Sequence, residues 1–255
     1  LVLGLVLKGH DLGTALVLLG VLAALLWIAG VPKRFFAAGA LGAGVLVLLL
    51  VQSRQNRLAL IDVWLSGACA DTANYHYTCW QPVHGKWALA SGGWWGLGLG
   101  ASREKWSWLP EAHNDFIFAV LGEELGLAGA LVVPGLFALL GVGLYRVVVR
   151  SDDPFVKIAT GGVMAWVLGQ AVINIGAVVG LLPVVGVPLP LVSSGGSALV
   201  TTLIGLGMVI GFARRENGAN EALAARAALV RRSLAVLPGR SLRVRLQGGR
   251  RPGGR

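Results

Sequence analysis

Long stretches without a single charge decide what this chain can fold into. Leu12 to Gly30, Phe35 to Gln52, Leu125 to Tyr145 and Leu191 to Ala213 contain no Asp, Glu, Lys or Arg. Neither does Ile158 to Leu182, although that run carries Gln170 and Asn174. Roughly 20 apolar residues in a helix cross about 30 Å of hydrocarbon. The mean hydropathy of +0.72 exceeds what the core of a soluble domain needs. The expected architecture is therefore an all-α polytopic membrane protein with about five transmembrane helices. Leu1 to Leu7 is too short to span and no initiator Met precedes it, so it reads as the stub of a further helix and the chain as a fragment.

Positive charge gathers at the far end. From Arg214 onward, 11 Arg stand against Glu216 and Glu221, which places most of the net charge of +10 in this tail. Directly after a span, such a tail is better read as a cytoplasmic segment near anionic lipid than as a nucleic-acid site. The expected division is a transmembrane part over 1–213 and a basic tail over 214–255. Gly and Pro near the end of the tail predict partial disorder there. With the tail inside, Lys33, Arg34 and the Arg146 to Lys157 connection also fall inside, as positive charge prefers. Residues 53–114 then form a large extracytoplasmic loop.

That loop holds seven of the nine tryptophans, Trp64, Trp80, Trp87, Trp94, Trp95, Trp106 and Trp108. Amphipathic rings of this kind prefer the membrane interface, so the loop is expected to bear short interfacial helices, with a lid over a lipid-borne substrate as the functional alternative. Both cysteines, Cys69 and Cys79, lie in the loop. Ten positions apart on an oxidising face, they are expected to form a disulfide. A zinc site would need more than the nearby His76 and His84. Gly92-Gly93 and Gly96 to Gly100 superficially resemble a dinucleotide fingerprint, but no strand-helix unit surrounds them.

The densest polar chemistry is the run Trp108-Leu109-Pro110-Glu111-Ala112-His113-Asn114-Asp115-Phe116. With its continuation Ile117-Phe118-Ala119-Val120-Leu121-Gly122-Glu123-Glu124-Leu125-Gly126, it resembles the signature of the FtsW/RodA/SpoVE (SEDS) peptidoglycan polymerases, nearest the FtsW branch. Asp11-Leu12-Gly13-Thr14-Ala15, Gly180-Leu181-Leu182-Pro183 and Leu189-Pro190-Leu191-Val192-Ser193-Ser194-Gly195-Gly196-Ser197 resemble further family blocks in the family's order. The resemblance runs to about Phe212. This chain has His10, Asn114 and Ser194 where the family commonly has Pro, Thr and Tyr.

The resemblance implies an inverting glycosyltransferase that polymerises lipid II on the outer face of the bacterial cytoplasmic membrane, at the division septum. Asp115 falls at the place of the family's catalytic aspartate. It would deprotonate an acceptor sugar hydroxyl, which displaces undecaprenyl diphosphate from the donor. A hydrocarbon boundary disfavours the charged carboxylate and is expected to raise its basicity, while Lys105 or Arg103 nearby would oppose the shift. Those two cations are candidates for gripping the diphosphate. Glu111 lies four residues before Asp115 and shares its face if the stretch is helical. The pair could divide acid and base roles or hold a divalent cation such as Mg or Mn. For Glu111 and His113 the alternative is capping and interfacial hydrogen bonding.

Asp11 either caps the first span or lines the cavity. Gln170 and Asn174, four apart on one helical face, either bridge helices or line a wet cavity. Ser193 and Ser197 belong to the candidate substrate-binding set with the Gly180 to Pro190 connection. Implied partners are lipid II, a class B penicillin-binding protein, other divisome proteins and membrane lipid. The alternative to the enzyme is a lipid II flippase or a divisome scaffold. A flippase needs a polar path through both leaflets, whereas these polar residues gather at the outer end. Without helices preceding this fragment, polymerisation by these residues alone is not expected.

Overall fold

The computed structural model describes residues 6, 12–52, 64, 69, 79–106 and 109–215. All regular structure among them is helical: α1 Leu12–Ile28, α2 Lys33–Gln52, α3 Trp80–Gly92, α4 Ile117–Arg150, α5 Pro154–Val179 and α6 Gly196–Arg214. By length and composition α4, α5 and α6 can each cross a membrane, and α1 is a shorter apolar helix. The chain divides between Ala213 and Arg214. The tail beyond Arg215, the stub and most of the loop between α2 and α3 lie outside the described residues.

α5 is the organising element, packing against α1, α3 and α4, while α3 also packs along α4. Its start is set by Asp153, whose carboxylate accepts from Phe155 N at 2.8 Å, with Pro154 at the first helical position. A proline is favourable there because its missing N–H would have had no helical partner. Gly180 ends the helix in the left-handed conformation (φ 90°). Between these ends Val163, Val167, Ala171, Asn174 and Val178 are buried, spaced as one face of an α-helix. The opposite surface exposes Phe155 and Val172, and α4 likewise exposes Leu131, Leu136 and Leu139. Apolar residues all round are what a membrane-spanning helix requires.

α4 is broken near its start. Gly126 has φ 69° and ψ −170°, far from helical values. The segment after α3 fills the break: Leu97 N and Gly98 N donate to Glu123 O and Glu124 O, both at 3.0 Å. In return Gly93 O accepts from Leu127 N at 2.8 Å and Trp94 O from Ala128 N at 3.4 Å. The half-helices thus give their freed backbone groups to the glycine-rich loop, which satisfies the demand that buried or membrane-level polar groups be paired. A side chain at Gly126 would collide with the Trp94 main chain. The stapled loop holds Trp94, Trp95 and Trp106 with 73%, 86% and 71% of their surface exposed, as interfacial rings would be.

Candidate catalytic site

The run before α4 is a series of turns and not a helix. Leu109 is buried and its N–H donates to Glu104 O at 3.0 Å. Glu111 takes the left-handed conformation at φ 55°, a position few residues other than glycine adopt. This corrects the helical expectation for Glu111 and Asp115, because the left-handed turn removes the shared face. The Glu111 carboxylate instead accepts from Asn114 Nδ2 at 2.6 Å. Phe116, 2% exposed, lies with its ring against Gly85 of α3 and anchors the end of the turns.

Three consecutive main-chain carbonyls in this turn region are each held from outside it. Ser194 N donates to His113 O at 3.1 Å. Ser193 Oγ donates to Asn114 O at 2.7 Å and accepts from Leu189 N at 2.8 Å. Asn174 Nδ2 donates to Asp115 O at 2.7 Å and also to Val187 O at 2.7 Å. A further bond runs from Ser194 Oγ to Asn114 Oδ1 at 3.0 Å. Residues 113–115, non-helical and so without a ladder of their own, are thereby fixed to α5 and to the connection before α6.

Asp115 is half-buried, two residues ahead of α4, where the positive end of a helix favours an anion. It lines a small cavity of about 10 Å³ with Asn174, Val184, Val185, Gly186 and Val187. A methyl group placed on Gly186, whose φ is 69°, would lie 3.4 Å from Asp115 Oδ2. Val187 also borders a larger cavity of about 580 Å³ between α1 and α5. That cavity is lined by apolar residues such as Leu18, Val21, Leu25 and Val163, with Thr14 and Gln170 as polar exceptions. Gln170 and Asn174 therefore share a helix but not a role, since one borders the apolar cavity and the other ties the main chain.

The expected diphosphate cations separate. Lys105 Nζ donates to Glu124 Oε1 of α4 at 2.6 Å and to Gly100 O at 2.8 Å, so this candidate for the diphosphate already faces a carboxylate. Arg103 exposes its side chain while its main-chain N–H donates to Glu123 Oε1 at 3.1 Å. Glu123, 1% exposed, also accepts from Ser102 Oγ at 2.5 Å. Lys86, passed over in the sequence reading, is exposed with its ammonium end against Gly180. Its position at the carboxyl end of α5 could not be read from spacing. The paired acids Glu123 and Glu124 did carry a signal, because carboxylates in an apolar helix demand partners.

His113 is exposed and contributes its carbonyl to the network. Ser197 is exposed on the first turn of α6, and its carbonyl accepts from Thr201 Oγ1 at 3.0 Å. Asp11 and Trp108 lie outside the described residues. Cys69 and Cys79 are joined as a disulfide with Cα atoms 5.3 Å apart, immediately before α3. Among the described residues no three His, Cys, Asp or Glu side chains converge as a cation site. The Glu111 carboxylate is turned to Asn114.

The family model for the cell cycle proteins FtsW, RodA and SpoVE matches residues 1–218. A probable peptidoglycan glycosyltransferase FtsW from Mycobacterium tuberculosis is 43% identical over 223 residues, covering 88% of this chain and 42% of the relative. One from Geobacter metallireducens is 38% identical over 226 residues, covering 86% and 57%. The chain thus spans about half the length of these relatives. Among solved structures, a chain of a peptidoglycan synthase complex described for coordinating polymerization and crosslinking aligns with a TM-score of 0.64 at 27% identity, covering 84% of this chain and 58% of that one. A point mutant of the rod shape determining protein RodA from Thermus thermophilus aligns with a TM-score of 0.54 at 27% identity, covering 84% and 53%. With its apolar helical bundle and its signature turn held at the head of α4, this chain belongs to the FtsW/RodA/SpoVE family of integral membrane proteins.

Proposed function

We propose that this chain forms part of a peptidoglycan glycosyltransferase that polymerises lipid II during septal wall synthesis, with Asp115 as general base. The observation that carries the reading is the placement of Asp115: a half-buried carboxylate on a turn whose three successive carbonyls are pinned, lining a small cavity that shares Val187 with a larger, mainly apolar one. A general base must be held within hydrogen-bond reach of the proton it removes, and a pinned turn supplies that constancy. In this reading the carboxylate takes the proton of an acceptor sugar hydroxyl. The hydroxyl oxygen bonds to the donor's anomeric carbon, and the bond to the diphosphate breaks with its electron pair leaving on the diphosphate. One inverting displacement balances the step without a covalent enzyme intermediate.

The cavity between α1 and α5 suits the polyprenyl part of the substrate, since it is mainly apolar and shares Val187 with the Asp115 pocket. Among the described residues, exposed Arg103 and Lys86 are the cations we assign to the diphosphate, Lys105 being paired with Glu124. A class B penicillin-binding protein is the proposed partner, since a structural relative belongs to a complex that joins polymerization to crosslinking. The basic tail is proposed to face the cytoplasm. No step is assigned to a metal ion.

The test uses the protein at its full natural length in proteoliposomes with that partner, its transpeptidase blocked, and labelled lipid II. Glycan ladders are expected. Transbilayer movement of lipid II without ladders would replace the polymerase with a transporter.

A further inference from the structure

We infer that Asn174 is a positioning residue for the Asp115 carboxylate, acting by tying the two main-chain segments that border it. This rests on the reading of Asp115 as the base. Asn174 is 2% exposed, and its Nδ2 bonds both Asp115 O and Val187 O. Its Oδ1 is buried without a hydrogen-bond partner. The network fixes the amide's orientation, since the flipped amide would set its oxygen against two carbonyl oxygens.

Leaving a buried acceptor unpaired costs on the order of 1–3 kcal/mol. An apolar residue of similar size would avoid that cost if filling space were the only task, so the tie itself needs explaining. One of the tied carbonyls belongs to Asp115. The other belongs to Val187, next to Gly186, and Gly186 approaches the carboxylate closely enough that an added methyl would lie 3.4 Å from Oδ2. One amide therefore fixes both the residue that carries the carboxylate and the turn against which the carboxylate rests. Ser193 and Ser194 hold the neighbouring carbonyls of Asn114 and His113.

The geometry makes the effect specific to chemistry. Asn174 acts through a main-chain carbonyl and the wall of a cavity too small for a sugar. Its loss should move the base without removing a substrate contact.

The experiment measures kcat and KM for lipid II polymerisation by the full-length protein with its partner, together with the thermal unfolding midpoint. Asn174→Leu is compared in the native background and in Asp115→Glu, whose longer side chain already displaces the carboxylate. Expected is a fall in kcat on the order of 10- to 100-fold in the native background, KM held within about twofold, and a much smaller fall in Asp115→Glu. Asn174→Gln, which keeps both donors, should recover part of the loss. If Asn174→Leu does not fold, Asn174→Ser, with a single shorter donor, carries the same comparison. Native kcat in Asn174→Leu or Asn174→Ser, or an equal fall in both backgrounds, overturns the positioning role while leaving the base in place. Polymerisation retained by Asp115→Asn overturns the base and the positioning role with it.

Discussion

Asn174 on α5 donates to the carbonyl of Asp115 at 2.7 Å across 59 positions of sequence. With the bonds from Ser193 and Ser194, it makes the turn before α4 a fixed object, although no helix or sheet ladder orders it. Function in this account depends on contacts made to the main chain of the signature turn as much as on its side chains.

Ser193 links two segments with one hydroxyl, donating to Asn114 O and accepting from Leu189 N. Ser193→Ala leaves both groups without that partner, at a cost of about 1–3 kcal/mol. The expected result is a lower thermal unfolding midpoint in detergent and reduced polymerisation, with Ser193→Thr closer to the native protein. An unchanged midpoint and full activity in Ser193→Ala would remove the serine from the clamp.

Glu123 is the buried acid that fastens the glycine-rich loop, through Ser102 Oγ and Arg103 N. Glu123→Ala strands both donors and should destabilise the protein by roughly 1–3 kcal/mol. Hydrogen exchange should quicken across residues 93–106, and Lys105→Met should quicken it over the same segment. Exchange that rises elsewhere but not there would contradict the stapling role.

Gly126 permits the break in α4 that the loop fills. Gly126→Ala forces a side chain into a positive-φ backbone region that essentially only glycine occupies, costing roughly 1–3 kcal/mol from conformation alone, and adds a collision with the Trp94 main chain. The predicted outcome is a marked loss of thermal stability, in contrast to Gly135→Ala in the same helix, where an added methyl meets open space and alanine is the better helix former.

The order of helices was legible in the sequence because charge-free runs of about 20 residues have few soluble explanations. Their ends were less so. The run from Leu125 understates α4, which begins at Ile117 because the charged pair Glu123-Glu124 finds partners in the loop. The motif singled out Asp115 but showed neither its half-buried setting by a small cavity nor its relation to Glu111. A helical spacing rule fails where Glu111 adopts a left-handed turn. Lys105 was equally opaque, since a sequence shows a cation without showing that Glu124 already meets it. Asn174 and Ser193 could be flagged as polar residues near an apolar span, but their targets are main-chain carbonyls that spacing cannot name.

Trp94 and Trp95 are expected to rest in the outer leaflet interface. Brominated lipids should quench the emission lost on changing both to Phe, measured as the difference between native and variant spectra. A difference spectrum insensitive to bromination would place the pair against protein or in water.

Proton abstraction by Asp115 is the step on which the proposed polymerase function turns. The most direct measurement compares glycan ladders from labelled lipid II made by the full-length protein and its Asp115→Asn variant, each reconstituted with the blocked penicillin-binding partner. Ladders are expected to vanish in the variant while its folding and its association with the partner persist. Ladders of native length and rate from Asp115→Asn would contradict that role.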